Sequence, residues 1–232
     1  MFVRKLPYII FRAYPTAGYL TDNRNFGYDT ATKSSIKVGD LLISPEGSIF
    51  YSLLKEEFQS INEIAHRLME IFKGVNYETL LEDAIMFYND LSKRGFIVCD
   101  TDARDDFKLP GYFSYDSTKP FLLDLHSGEG KIFDGLSNDY NLSRVHIDIS
   151  SRCNENCVHC YIPSKNKCSL MSKEVFDRVL EQCISMKVLN ITLSGGEPML
   201  NPNLKSFLLK CRDANFSVNI LSNLTCLSDE LL

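Results

Sequence analysis

The feature that most constrains the fold is an alternation of β-type and helical segments from residue 144 to 221. A β-branched, alternating run covers 144–150. Two continuous apolar runs, 188–193 and 216–221, lie on either side of a short helical segment at 204–211. Continuous apolar runs of this length are typical of strands in a parallel sheet that is buried on both faces. The order strand, loop, helix, strand, helix, strand therefore predicts the start of a (β/α) barrel or of a doubly wound sheet.

The two helices of this region have predicted buried faces. Ser172 followed by Glu174 is typical of a helix N-terminus. Apolar residues then recur at helical spacing, and they are Val175, Phe176, Val179, Leu180, Cys183 and Met186. Cys183, together with Cys211 on the second helix, is therefore predicted to be a buried core thiol.

The first 98 residues are predicted to form a separate α+β unit. Three strand candidates come first, then three helix candidates, then a last strand-like run. The strands are predicted at 6–14, 19–28 and 36–43, the helices from about residues 45, 60 and 77, and the last run at 96–98. Ser60 and Glu63 form a capping-box pattern at the second helix, and Gly95 is predicted to end the third, which covers about 77–93.

Residues 99–143 differ in composition from both flanking units. They are rich in Asp, Ser, Gly and Lys, and they contain few periodic apolar positions. This composition predicts a linker with one short strand at 121–125, although about 45 residues is long for a connection. We therefore expect a domain at 1–98, a linker at 99–143 and a second domain at 144–232.

Composition excludes several classes of protein. The 232 residues are 44% hydrophobic and 24% charged, which is ordinary for a globular protein. A net charge of −5 gives no reason to expect nucleic-acid binding, which needs clustered Lys and Arg. No apolar run approaches the roughly 20 residues of a membrane span, and the N-terminus lacks a signal-peptide core. We expect a cytoplasmic protein with neither a membrane nor a nucleic acid as partner.

Three of the eight cysteines, Cys153, Cys157 and Cys160, fall within eight residues. Thiolates at this spacing are able to converge on one metal centre, and soft thiolates favour zinc, Cu(I) or an iron–sulfur cluster. A zinc site would need a fourth ligand such as His159, and a ferredoxin-type cluster would need Cys168. The third alternative is a four-iron cluster with three cysteine ligands and one open iron, which is free to take a small ligand. The spacing alone leaves all three open.

Two motifs together resemble a known family. Cys153-x₃-Cys157-x₂-Cys160-Tyr161 follows the first strand of the second domain, and Gly195-Gly-Glu197-Pro198 follows the next strand. This pair resembles the signature loop and the methionine-binding motif of the radical S-adenosylmethionine superfamily. The resemblance implies a [4Fe–4S] cluster and S-adenosylmethionine as cofactors. It also implies an enzyme that cleaves S-adenosylmethionine reductively, with an electron from an external donor, to give a hydrogen-abstracting radical.

The resemblance assigns residues by their place in the motifs. The metal ligands would be Cys153, Cys157 and Cys160. The cofactor-binding residues would be His159 beside the adenine, Gly195, Gly196, Glu197 and Pro198 at the methionine portion, and Ser222 and Asn223 after the third strand. Glu197 would accept a hydrogen bond from the ammonium group. Leu224 stands where the family usually has glycine. No catalytic side chain is assigned.

The first domain resembles the winged-helix-like peptide-recognition element of peptide-maturing radical enzymes. The stretch LLISPEGSIFYSLLKEEFQSINEIAHRLMEIF carries this resemblance. It implies a ribosomally made precursor peptide as partner, with its leader added as a strand beside the third helix, at a cleft lined by 36–43 and 77–93.

A complete barrel needs more strands than this chain supplies, so we expect the first half of a partial (β/α) barrel in a C-terminally truncated chain. One alternative function is a leader-peptide-binding module with a vestigial radical half. Another is a zinc or electron-transfer protein.

Overall fold

The chain has a mixed α/β fold in two compact units, Met1–Asn138 and Asp139–Leu232. This computed structural model describes residues 1–22, 40–102, 142–163, 166 and 168–228. The predicted strand at 121–125 lies outside the described residues. Among the helices in the described part of the chain, none is long and apolar enough to cross a membrane.

The first unit contains two antiparallel three-stranded sheets. Its strands are β1 (Phe2–Lys5), β2 (Ile9–Ala13), β3 (Gly18–Asp22), β4 (Leu41–Ile43), β5 (Gln59–Ser60) and β6 (Ile97–Asp100). One sheet has the order β5–β1–β6 and the other the order β2–β3–β4. The predicted strand at 6–14 is too long, because a turn at residues 7 and 8 separates β1 from β2. Strand β6 also extends into the predicted linker, since Cys99 and Asp100 pair with Val3 and Phe2.

The three predicted helices of the first unit are confirmed as α1 (Pro45–Ser52), α2 (Ile61–Ile71) and α3 (Tyr77–Lys93). The capping-box prediction is wrong in its hydrogen bond. Ser60 is the N-cap of α2, but its side chain makes no capping bond. Ser60 is held by a different constraint, because it belongs to β5 and pairs with Phe2.

The core of the first unit lies between α3, the elements that precede it and β6. Four residues on one face of α3 are buried, namely Leu80, Ala84, Tyr88 and Leu91. The Tyr88 hydroxyl donates to the Phe50 carbonyl at 2.8 Å, so this buried polar group is satisfied. Ile85 follows Ala84 in the same helix but is 37% exposed. Its position at the margin of the apolar stripe explains the difference.

The second unit has a parallel sheet of three strands in the order β7–β8–β9. The strands are β7 (Arg144–Ser150), β8 (Asn190–Gly195) and β9 (Ser217–Ile220), and the helices between them are α4 (Lys173–Ser185) and α5 (Leu204–Asp213). This order matches the predicted alternation. Ser172 is the N-cap of α4, and its hydroxyl accepts from the Val175 amide as predicted.

Both helices share one core with a single face of this sheet. Ile147 and Ile149 are buried in it, and the rings of Phe176 and Phe207 stack at 3.9 Å. Cys183 is 2% exposed and Cys211 is 0% exposed, which confirms that both are core thiols. Because successive residues of a strand face opposite sides, the other sheet face carries polar and exposed side chains of β7.

Candidate cluster and cofactor site

Three loops leave the carboxyl ends of β7, β8 and β9. We name them the cysteine loop (151–161), the Gly-Gly-Glu-Pro loop (195–198) and the β9 loop (221–226). The carboxyl ends of parallel strands meet at one edge of a sheet, which is where α/β proteins commonly bind ligands. The two sequence motifs therefore lie at the same edge.

The glycines of the Gly-Gly-Glu-Pro loop permit a close approach to the start of the cysteine loop. Gly195 has φ +128°, and a Cβ there would lie 1.9 Å from the Ser150 carbonyl oxygen. A Cβ on Gly196 would lie 2.3 Å from the Arg152 carbonyl oxygen. The Gly196 amide donates to the Ser150 carbonyl at 2.6 Å, and the Glu197 amide donates to the Arg152 carbonyl at 2.7 Å. The Glu197–Arg152 bond thus joins the two loops through their backbones, and the Gly196–Ser150 bond joins the Gly-Gly-Glu-Pro loop to the end of β7.

Glu197 is completely buried and its carboxylate is well supplied with donors. Oε1 accepts from the Met199 amide at 2.9 Å and from the Ser222 hydroxyl at 2.7 Å. Oε2 accepts from the Asn223 amide at 2.9 Å. A carboxylate offers about four acceptor positions, so three of them are already used. Acceptance of a hydrogen bond from a cofactor ammonium group stays a prediction.

Pro198 follows this carboxylate and starts a short 3₁₀ helix, Pro198–Leu200. Proline suits the first helical position because it has no amide hydrogen to leave unpaired.

The cysteine loop offers accessible thiols. All eight cysteines are free; Cys153 is half-buried, while Cys157 and Cys160 are exposed. The Cys160 amide donates to the Cys157 carbonyl at 3.1 Å, which makes a tight turn between these two residues. His159 lies in this turn with an exposed side chain.

The three thiols are the kind of ligand that an iron–sulfur cluster takes, but their side chains do not yet converge on one point. Three free thiols within eight residues are the ligands that such a cluster takes. Among the described residues, however, no three His, Cys, Asp or Glu side chains lie close enough together to hold a metal ion. The thiols would have to turn toward each other on binding, and metal sites are commonly formed in this way.

The last residue of the cysteine loop is fixed to β7. The Tyr161 hydroxyl donates to Asp148 Oδ2 at 3.2 Å and lies 3.5 Å from the Gly195 carbonyl oxygen. Asp148 Oδ1 lies 3.2 Å from His146 Nε2. Desolvation, and then the Asp148 carboxylate, raise the pKa of the Tyr161 phenol. Asp148 belongs to neither sequence motif, so its contact with Tyr161 was not expected from the sequence.

The β9 loop contacts the cysteine loop through side chains. Asn154 Nδ2 donates to Thr225 Oγ1 at 2.6 Å, and Asn223 Nδ2 donates to Asn154 Oδ1 at 3.0 Å. Asn154 occupies a position that the motif spacing leaves undefined, so no sequence signal identified it. Leu224 has φ +62°, a conformation that glycine adopts without strain. This backbone conformation explains why glycine is usual there.

The second unit is similar in sequence to a known protein family. Residues 147–232 match the family model of the Radical SAM superfamily. A GTP 3′,8-cyclase of Desulforamulus reducens is 30% identical over 74 residues, which are 30% of this chain and 23% of that protein. An uncharacterized protein of Methanocaldococcus jannaschii, MJ0907, is 30% identical over 93 residues, which are 37% of this chain and 32% of that protein. The chain thus spans a third or less of these curated relatives.

Solved structures of SuiB from Streptococcus suis are also similar. The complex of SuiB with its precursor peptide SuiA has a TM-score of 0.44 at 15% identity, over 98% of this chain and 44% of SuiB. SuiB bound to S-adenosylmethionine has a TM-score of 0.43 at 14% identity, over 97% of this chain and 43% of SuiB. The region from residue 147 onward, which carries both motif loops, thus matches the radical S-adenosylmethionine superfamily, and that match implies a [4Fe–4S] cluster and S-adenosylmethionine as cofactors.

Proposed function

We propose that this chain, as part of a radical S-adenosylmethionine enzyme, holds a [4Fe–4S] cluster on Cys153, Cys157 and Cys160 and modifies a ribosomally made peptide by hydrogen abstraction. One observation carries the proposal. The Gly-Gly-Glu-Pro loop is hydrogen-bonded to the cysteine loop at the same sheet edge through the Glu197 amide, and to the end of β7 through the Gly196 amide. The second unit would be the first half of a partial (β/α) barrel.

In this proposal the chain's own residues bind and orient. Three thiolates leave one iron open, to which the amino and carboxylate groups of S-adenosylmethionine would bind, and an external donor would supply the electron. When bound, these cofactors supply reductive cleavage and a hydrogen-abstracting radical. His159 would lie against the adenine. The remaining contacts would come from the Gly-Gly-Glu-Pro loop and from Ser222 and Asn223.

The proposed peptide site is the edge of β4 in the first unit, which would be a winged-helix-like domain. Within the described residues, β4 pairs on one side with β3, and no strand pairs with its other side. Leu42 of β4 is 46% exposed. On α3, Ile85 is 37% exposed and Met86 is 69% exposed. An open strand edge and exposed apolar side chains are what an added peptide strand uses.

Product analysis tests the enzymatic part. After anaerobic reconstitution with iron and sulfide, dithionite and S-adenosylmethionine should yield 5′-deoxyadenosine, measured by chromatography. Cys153→Ala should abolish this product because a cluster ligand is lost. Cys168→Ala is the matched control and should retain it. A full-length reconstituted chain with bound iron and no 5′-deoxyadenosine would favour the alternative of a peptide-binding module.

Peptide binding is tested separately in the first unit. The probe is a fluorophore-labelled synthetic peptide, whose sequence would be taken from any short open reading frame found beside the gene for this chain. Leu42→Asp should weaken its binding by about fivefold or more, because a charge replaces an apolar contact. Met69→Asp is the control, since Met69 is similarly exposed on α2 at 38%. Equal losses in both variants would overturn the β4 site.

A further inference from the structure

A chain of hydrogen bonds connects the Gly-Gly-Glu-Pro loop to the cysteine loop through the β9 loop. From this chain we propose that Glu197, Ser222, Asn223 and Asn154 are positioning residues that hold the cysteine loop in place before any cofactor binds. The inference rests on the proposed function only in taking the cysteine loop to be the loop that binds a cluster. The bonds themselves join groups within the second unit.

The first joint is at Glu197. Its buried carboxylate receives the Ser222 hydroxyl and the Asn223 amide, at 2.7 and 2.9 Å. Hydrogen bonds to an ionised acceptor away from water are stronger than neutral ones. Removing the donors would leave a buried charge with fewer partners, which is costly. Ser222 and Asn223 of the β9 loop are therefore fixed to the Gly-Gly-Glu-Pro loop.

The same two residues set the shape of the β9 loop. Ser222 Oγ also accepts from the Leu224 amide at 2.9 Å. Asn223 Oδ1 accepts from the Thr225 amide at 3.0 Å and from the Thr225 hydroxyl at 2.6 Å. These bonds hold Leu224 in its left-handed conformation. Such conformations persist when the surrounding structure fixes them.

The second joint is at Asn154 in the cysteine loop. Its amide oxygen accepts from Asn223, and its amide nitrogen donates to Thr225. Both groups of the Asn154 amide are thereby used by one neighbouring loop. Asn154 is the residue next to Cys153, so this joint acts directly beside a proposed cluster ligand. A shift at Glu197 would then reach the cysteines through the β9 loop.

Millisecond hydrogen exchange of the full-length chain without cofactors tests this connection. Asn154→Ala should raise exchange of the amides at 153–160 by about two- to tenfold, because it removes the bonds that close the loop. Ser222→Ala should raise exchange at 222–226 and also at 153–160. Val158→Ala is the control, since its side chain is fully exposed in the same loop. The amides of the Val158→Ala variant should exchange at the wild-type rate.

A double variant sharpens the test. If the bonds form one chain, Asn154→Ala combined with Ser222→Ala should exchange at 153–160 no faster than the faster single variant. The proposal would be overturned if the double variant raised exchange at 153–160 by the product of the two single effects. It would also be overturned if Ser222→Ala raised exchange only at 222–226. Glu197→Gln should raise hydrogen exchange at both 153–160 and 222–226. If circular dichroism shows that this variant does not fold, the Ser222→Ala result alone tests the proposal. Because the apo chain is used, a failure to bind a cluster would leave this result unchanged.

Discussion

The cysteine loop and the Gly-Gly-Glu-Pro loop lie at the same sheet edge but are built in opposite ways. In the Gly-Gly-Glu-Pro loop, Glu197 is completely buried, Pro198 is buried, and the Gly196 and Glu197 amides are bonded to the Ser150 and Arg152 carbonyls. In the cysteine loop, Cys157 and Cys160 are exposed, and Val158 between them is fully exposed. One loop is fixed by packing, while the other presents its side chains to solvent.

This difference separates two tasks within one site. A packed loop keeps its geometry without a ligand, because its hydrogen bonds and close contacts already determine it. An exposed loop of metal ligands becomes fixed when the metal binds, so binding and ordering are coupled. We therefore expect the Gly-Gly-Glu-Pro loop to tolerate little change in the apo protein. The cysteine side chains should tolerate much more.

The largest expected effect concerns the accessibility of thiols. Burial raises the pKa of the Cys211 thiol to about 12, and it also raises the pKa of Cys183. At pH 8 the reactive thiolate of Cys211 is then only about one part in ten thousand. Iodoacetamide should modify Cys157 and Cys160 at least about a hundredfold faster than Cys211, measured by peptide mass spectrometry.

The pH dependence of that reaction has a defined sign. A raised pKa means that the thiolate of Cys211 accumulates only as the pH rises toward that value, so its labelling should increase through pH 9 and 10. Labelling in urea provides the control, since unfolding exposes both core thiols. Fast labelling of Cys211 in the native protein at pH 8 would contradict a packed core at α5.

The next effect concerns the contact between the Gly-Gly-Glu-Pro loop and the end of β7. Gly195→Ala should destabilise the second unit by about 3 kcal/mol or more, because its Cβ would meet the Ser150 carbonyl in a backbone conformation that also strains alanine. Gly74→Ala is the matched control. Gly74 has φ +89°, and no atom lies within 4 Å of its Cβ position, so only the backbone cost of about 1 kcal/mol is expected.

Urea denaturation of both glycine variants measures these costs. Comparable losses from Gly195→Ala and Gly74→Ala would mean that the close approach between the Gly-Gly-Glu-Pro loop and Ser150 is not what fixes the site.

The smallest effect concerns the β9 loop. Leu224→Gly should be neutral or stabilise the second unit by up to about 1 kcal/mol, since it removes the strain of a left-handed leucine. Thermal denaturation measures the change. Leu221→Gly serves as the control, because Leu221 does not have a positive φ and should lose stability. A clear loss of stability in Leu224→Gly would show that the leucine side chain itself supports the loop.

Much of the fold follows from patterns within single segments. The bounds of α3 and β7 and the burial of Cys183 and Cys211 come from periodicity, since each depends on one face of one element. Contacts between distant segments were not predictable in this way. The pairing of Phe2 with Ser60 created β5 and removed a capping bond that the local pattern predicted. Tertiary pairing overrode the local preference there.

In the candidate site, too, the local motifs could be predicted, while the contacts between distant segments could not. The motif residues were identified from their spacing and from a family resemblance. The bonds of Glu197 to Ser222 and Asn223 join residues 25 and 26 positions apart. No periodic pattern reports such contacts. Asn154 belongs to this group because its partners follow another strand.

Electron paramagnetic resonance of the reconstituted, dithionite-reduced chain tests the central claim most directly. We predict a [4Fe–4S] signal whose shape changes when S-adenosylmethionine is added, because three cysteine ligands leave one iron open to it. The signal should be lost in Cys157→Ala and kept in Cys168→Ala. A signal that S-adenosylmethionine leaves unchanged, or that disappears in Cys168→Ala, would contradict a three-cysteine cluster in this loop.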